Sequence, residues 1–505
     1  MAADKSKFQL TERVSVDSRY VFPRERVMTH SFVHSSNVIG RDSDKENIIN
    51  FLLELCDLGN VPLVPIVGIG GLGKTTLARM VYNDEKVNRH FSLKMWVCVS
   101  EDFNVTRLMK EIIDSATGEY CTKLTADQLQ ARLRKTLGKT LGGKKFLLIL
   151  DDVWNEDRVK WIELRELLMG GANGSKIIVT TRSNQVASII GTVPPYVLRG
   201  LPHEDCLFLF LKWAFVDGEE KRYSNLVKIG DGIVRKCGGV PLAVRTLGSL
   251  LYAKTDENDW LFIKDNDIWR LEQGENGILP VLKLSYDYLP SYLQCCFAYC
   301  SLFPKDYCFD SRYLVYYWMA LGLLFIPNDN ELLEDVRLRY LKELLSRCFF
   351  QDVEDYGFYF TFKMHDLLHD LSVLVARREC LTVNFKTQNV DIRVRHFSLI
   401  DNPFNNQEDP NLLNNARSVR TFFLLRENDF FTESFLSRCL SRFKYFRLLS
   451  LSSILRDVLP DSVGTLKHLR YLDLSHNFFF GRTPRIYLSA SQFANLKTCW
   501  FFNAV

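Results

Sequence analysis

VPLVPIVGIGGLGKTT, residues 61–76, is the stretch that decides how the first half of this chain folds. Its second part fits GxxxxGK[ST] through Gly68, Gly73, Lys74 and Thr75, with Gly70 and Gly71 inside the loop and Thr76 just after it. An apolar run leads in and a helical run leads out. Backbone N–H groups of such a loop, and the N-terminus of the helix behind it, face phosphate oxygens. A lysine at position 74 reaches the β and γ oxygens, and a hydroxyl at position 75 holds Mg²⁺. The spacing predicts a binder of adenine or guanine nucleotide with magnesium. A glycine-rich turn with no ligand is the plain alternative.

Further strand-like runs follow: KMWVCVS at 94–100, KKFLLILDDVW at 144–154 and SKIIVTT at 175–181. Each is short and rich in β-branched or aromatic residues, and amphipathic stretches such as VTRLMKEIIDSA (105–116) separate them. That alternation predicts an α/β P-loop NTPase with a doubly wound parallel sheet. A nucleotide site of this kind needs an acid at the end of a neighbouring strand, and FLLILDD supplies Asp151 for Mg²⁺ and Asp152 to orient or deprotonate the attacking water. Aspartates after a strand also cap helices, which is the alternative for this pair. Arg182, at the end of IIVTTR, is placed either to sense a γ-phosphate or as an ordinary surface arginine.

Past about residue 200 helical periodicity takes over, as in CLFLFLKWAF (206–215) and the run from Leu226 to Leu251, where Pro241 suits a helix N-terminal turn. Residues 280–385 mix helices (LPSYLQCCFAYCSLF, DLLHDLSVLVA) with the strand candidates FFQDV and FYFTFKM, which suggests a winged helix. His365, at the start of one of these helices, reads either as a ligand or as a helix cap or packing residue. From residue 386 the pattern hydrophobic-x-x-hydrophobic-x-hydrophobic recurs, starting at Val394, Val419, Phe446, Leu469 and Leu496. The starts are 23 to 27 residues apart, within the roughly 20 to 29 of leucine-rich repeats. Asn477 falls where such a repeat expects one. The expected domains are therefore a linker at 1–37, a nucleotide-binding domain at 38–200, a helical domain at 201–279, a winged helix at 280–385 and partial leucine-rich repeats at 386–505.

Composition narrows the class. In 505 residues, 47% are hydrophobic and 25% charged, with a net charge of +4. These values suit several globular domains and imply no nucleic-acid or acidic-membrane partner. The 13 cysteines show no metal-ligand spacing, which favours reduced thiols in a cytosolic protein. The N-terminus has no apolar secretory core, and no run of 18 apolar residues occurs.

Six segments occur in a fixed order: GIGGLGKTT, LLILDDVW, IIVTTR, CGGVPLA (237–243), CFAYCSLFPKDY (296–307) and KMHD (363–366). Together they resemble the NB-ARC module of plant intracellular immune receptors with leucine-rich repeats. The resemblance covers about residues 38–380, and Trp154 after LDDV is similar to the coiled-coil class. It implies a disease-resistance switch of plant innate immunity, ADP-bound when off and ATP-bound when on, with slow ATP hydrolysis as the reset. It further implies that Gly70, Gly71, Gly73, Lys74, Thr75 and Thr76 grip phosphates and Mg²⁺. Asp151 and Asp152 serve the metal and water, and Arg182 reads the γ-phosphate. Pro241 packs on adenine, Val38 and Arg41 of VIGRD (38–42) flank the base, and His365 contacts the ADP β-phosphate. A pathogen effector or a guarded host protein would meet the repeats. Full-length receptors of the family are further candidate partners, nucleic acid is not expected, and the cytoplasm is the expected compartment, with nuclear or membrane-peripheral placement open. The family pattern also calls for a coiled-coil domain before VIGRD and a longer repeat array, so the chain reads as truncated at both ends.

Three readings compete with a switch: a steady-turnover P-loop ATPase, a repeat-based binding module with a degenerate nucleotide site, and a DNA-binding winged helix. The intact Lys74, Asp151 and Arg182 argue against the second. Acids early in DLLHDLSVLVARR argue against the third. A regulatory or adaptor protein that binds nucleotide and partners without signalling alone is the alternative within the family.

Overall fold

The computed structural model describes residues 38–54, 61–100, 103–121, 124–137, 145–169, 172–216, 218–266, 269, 278–324, 333–376, 378–383, 391–399, 418–425, 439–452, 461–474 and 498–500. The linker at 1–37, Leu496, Asn477 and Phe501 lie outside them. The described residues fall into two compact units, one running to Tyr288 and the other from Leu289 onward.

The first unit opens with helix α1 (Asp42–Glu54), strand β1 (Leu63–Val67), α2 (Lys74–Tyr82), α3 (Glu85–His90) and β2 (Leu93–Ser100). Helices α4 (Val105–Thr117) and α5 (Ala126–Leu137) precede β3 (Phe146–Val153), α6 (Arg158–Leu168), β4 (Lys176–Thr181), α7 (Asn184–Ile190) and β5 (Tyr196–Val197). The strands pair in parallel in the order β2-β3-β4-β1-β5. Strand β1 is buried throughout and β3 nearly so, the signature of strands covered on both faces. Helix α4 shows why the amphipathic stretches became helices: Val105, Leu108, Met109, Ile112 and Ile113 bury one face, and Asn104 accepts from Arg107 N–H as N-cap. These side chains pack with Leu129 and Leu133 of α5 and Trp161 and Leu164 of α6 in one core.

The helices α8 (His203–Ala214), α9 (Ser224–Lys236), α10 (Pro241–Leu250), α11 (Glu257–Lys264) and α12 (Leu279–Asp287) also belong to this unit. The helical run from Leu226 to Leu251 is interrupted at Gly238 and Gly239, which take φ values of 59° and 77°. Pro241 sits at the start of α10, where its missing N–H has no intrahelical partner to lose.

In the second unit α13 (Ser291–Tyr299) leads to β6 (Phe309–Asp310), α14 (Ser311–Leu321), α15 (Leu333–Ser346), the hairpin β7 (Gln351–Asp355) and β8 (Phe360–Lys363), and α16 (Asp366–Ala376). Strand β8 pairs antiparallel with both β6 and β7, and Phe309 stacks on Phe362 at 5.5 Å. Strands β9 (Cys380–Val383), β10 (His396–Leu399), β11 (Thr421–Leu424), β12 (Leu448–Ser450), β13 (Tyr471–Asp473) and β14 (Thr498–Trp500) form a parallel ladder in chain order. Its core contains Phe397, Phe422, Leu449 and Leu472, the central residues of four of the periodic segments.

The ladder and α14 meet at a helix end. Arg447 donates to Leu321 O at 2.9 Å and Arg470 to Ala320 O at 3.5 Å, cations placed where the helix dipole is negative. Beside them, His396 contacts Thr421 Oγ1 at 2.9 Å and meets the Tyr299 ring edge-on. Burial, together with Arg420, Arg395 and Arg447, pushes its imidazolium from 6.5 down to about 3. The folded chain therefore keeps His396 neutral while the unfolded chain protonates it below about pH 6.5, so stability is lost as pH falls. Urea unfolding of the second unit's ladder should weaken by about 2 kcal/mol from this group between pH 7 and pH 5. His396→Gln, which keeps a hydrogen-bonding group near Thr421, should flatten that slope; an unchanged slope contradicts the assignment.

Candidate functional site

The glycine loop follows the C-terminal end of β1, beside the end of β4, where Gly68 N–H donates to Thr181 O at 3.3 Å. Gly71 and Gly73 take φ values of 78° and 90°, a region that L side chains enter at a cost. Gly73 is also the N-cap of α2 and, lacking a side chain, makes no side-chain cap to its first N–H groups. Lys74 is 7% exposed, and its Nζ donates to Gly68 O at 2.7 Å and Ile69 O at 3.1 Å. An ammonium enclosed by a loop of its own carbonyls, next to an uncapped helix start, fits a phosphate chain.

Two residues that the sequence places far apart, Thr75 and Asp151, meet here. Thr75 Oγ1 donates to Asp151 Oδ1 at 2.9 Å, and Thr180 Oγ1 of β4 donates to the same oxygen at 2.5 Å. Asp151 is 1% exposed. Burial pushes its carboxyl above the usual carboxylate range, the Thr180 hydrogen bond opposes that, the Asp152 charge adds to it, and the Arg79 charge and Thr75 hydroxyl oppose it. A buried carboxylate in contact with a threonine hydroxyl is a hard-oxygen donor set suited to Mg²⁺, and a divalent cation would offset the burial of the charge. The residues present thus fit both a nucleotide and its metal.

Asp152 occupies a different conformation. The β3–β4 register shifts between Leu150 and Val153, and Asp152 takes φ 54°. Its N–H donates to Thr180 Oγ1 at 2.8 Å, and its carboxylate accepts from Trp154 Nε1 at 2.9 Å. The Arg182 guanidinium lies over the Trp154 ring, 4.7 Å from its centre.

The segment before α1 is tied to the loop. Arg41, 4% exposed, donates from Nη2 to Leu72 O at 2.8 Å and pairs with Asp44 at 2.8 Å. From the other side, Leu242 N–H at the start of α10 donates to Gly71 O at 3.3 Å, which brings Pro241 next to the loop. Val38 is half-buried three residues before Arg41. Arg41, the glycine loop, the start of α10, Asp151, Asp152 and Arg182 therefore all belong to the first unit.

His365 belongs to the second unit. It precedes α16, its Nδ1 accepts from Leu367 N–H at 3.1 Å, and its carbonyl accepts from Leu368 and His369. The cap geometry read as an alternative is present. Sequence reasoning did not anticipate Thr180 or Arg79 at the acid. Only the adjacency of β3 and β4 puts Thr180 beside Asp151, and its presence in the same IIVTTR segment was the available signal.

Two family descriptions match the chain: the NB-ARC domain over residues 41–220 and the disease resistance protein winged helix domain over residues 302–372. The chain carries the NB-ARC and winged-helix domains of plant disease-resistance proteins. Disease resistance protein RGA2 of Solanum bulbocastanum is 44% identical over 390 residues, 77% of this chain and 39% of that protein. A second protein of that species, RGA1, is 40% identical over 479 residues, 95% of this chain and 45% of its own length. The chain thus spans less than half the length of either relative. Among solved structures, a signal-transduction ATPase with a tetratricopeptide-repeat sensor from Pyrococcus horikoshii is 18% identical, with a TM-score of 0.41 over 69% of this chain and 44% of that one. The glycine loop of this NB-ARC domain is a nucleotide-binding P-loop. Among the described residues no helix is long and apolar enough to cross a membrane.

The loop geometry gives a graded test. A Cβ on Gly71 would meet Leu242 Cβ at 3.0 Å, Val240 Cγ1 at 3.2 Å and Ile278 Cδ1 at 3.3 Å, whereas one on Gly118, also at positive φ, meets nothing within 4 Å. Gly118→Ala should cost only the backbone penalty of about 1–2 kcal/mol. Gly71→Ala should cost about 1–3 kcal/mol more through crowding, read as the difference between the two variants in urea midpoint.

Proposed function

We propose that the first unit is a magnesium-dependent ADP/ATP switch of plant innate immunity, off with ADP and on with ATP, reset by slow hydrolysis. The observation that carries this is the meeting of Thr75, Asp151 and the buried Lys74 at one uncapped helix start. In this reading Gly70, Gly71, Gly73, Lys74, Thr75 and Thr76 hold the phosphates, and Thr75 and Asp151 ligate Mg²⁺. When bound, the metal supplies charge neutralisation to the phosphate oxygens. Asp152 orients or deprotonates water and Arg182 senses the γ-phosphate. Val38, Arg41 and Pro241 border the base. His365 contacts the ADP β-phosphate in this reading.

A nucleotide biases two states only through its differential affinity for them. A contact present with one nucleotide and absent with the other supplies that difference, which is why fast turnover is unnecessary. The parallel ladder from β10 onward is proposed as leucine-rich repeats whose partner is a pathogen effector or a guarded host protein. The domain limits, 38–200, 201–279, 280–385 and 386–505, and a cytoplasmic location belong to the same proposal.

Denaturing the purified chain and identifying the released nucleotide tests the reading. The expected result is retained ADP in the wild type and none in Lys74→Ala. Equal nucleotide in both would end it.

A further inference from the structure

Trp154 served the sequence only as a class marker, yet in the structure one side chain touches both groups assigned to the γ-phosphate end of the site. Its indole Nε1–H donates to Asp152 Oδ2 at 2.9 Å. Its ring face carries the Arg182 guanidinium at 4.7 Å. The backbone around it is set by other contacts. The strand bulge puts Asp152 at φ 54°, Thr180 Oγ1 accepts its N–H at 2.8 Å, and Thr181 Oγ1 donates to Val153 O at 2.7 Å. A non-glycine residue in the left-handed region persists only where its surroundings hold it. The two threonines hold the main chain, and the indole holds the carboxylate.

We propose that Trp154 is a positioning residue of the nucleotide site, which fixes the Asp152 carboxylate and the Arg182 guanidinium relative to each other through the two distinct parts of one ring system. The inference rests on the proposed roles of Asp152 and Arg182. Indole is suited to this because its N–H donates to a carboxylate oxygen while its face attracts a cation. Phenylalanine at the same place keeps a weaker cation-binding face and lacks the donor. Alanine lacks both. Trp154 is only half-buried, so neither change empties a core.

The test titrates wild type, Trp154→Phe and Trp154→Ala with fluorescent ADP and ATP analogues in the presence of Mg²⁺, and measures single-turnover ATP hydrolysis. ADP affinity should stay within about twofold in all three, because neither Asp152 nor Arg182 faces the β-phosphate in the proposed arrangement. Trp154→Phe should lose about tenfold in the single-turnover rate, the scale of one charge-assisted hydrogen bond, while keeping most of the preference for ATP over ADP. Trp154→Ala should lose both. That split between rate and preference is not what a general loss of structure gives. The proposal is overturned if both variants match the wild type in rate and preference, or if ADP affinity falls in step with them. A wild type that binds no nucleotide, with Lys74→Ala indistinguishable from it, would instead remove the underlying reading of the site.

Discussion

A single carboxylate oxygen, Oδ1 of Asp151, accepts hydroxyls from Thr75 of α2 and Thr180 of β4, and the arrangement of the first unit turns on that point. Strand β4 lies between β1 and β3, so the glycine loop and the acidic strand are not neighbours in the sheet. The Thr75–Asp151 bond spans that gap and Thr180 supports it from the intervening strand. Burial holds the Asp151 carboxyl above its ordinary range, which makes it a poor element of pure stability: an enclosed charge costs free energy unless something compensates it. Its position next to a threonine hydroxyl and an uncapped helix start is the arrangement that a metal-bound phosphate chain would compensate.

Much of this arrangement is legible in the sequence. Lys74, Thr75 and Asp151 could be named because loop spacing and a strand-terminal acid are local patterns with few alternatives. The sheet class followed from short apolar runs between amphipathic ones, and α4 formed where its buried stripe predicted. Thr180, Arg79 and the Trp154 indole were not legible, since each acts through strand adjacency or side-chain direction that the linear order does not contain. The helix start at Pro241 was legible, while the break at Gly238 and Gly239 and the Leu242 N–H contact with the P-loop required the fold. For His365 the sequence left ligand and cap open, and the cap is what the start of α16 contains.

The second unit shows a parallel logic in another chemistry. The ladder places Arg447 and Arg470 at successive rungs, and both reach the C-terminal carbonyls of α14. The positive charge of Arg447, with that of Arg420 and Arg395, falls on His396, which the fold keeps neutral. Charge is thus concentrated where a helix end can use it, and the residue most exposed to its cost is a titratable one.

Asp151→Asn tests the central claim most directly, because an amide oxygen can still accept from Thr75 and Thr180 while the charge is gone. The account predicts that the nucleotide-free variant is at least as stable as wild type in urea, yet its nucleotide affinity no longer rises on adding Mg²⁺. A variant that is less stable but gains affinity from Mg²⁺ as the wild type does would contradict it.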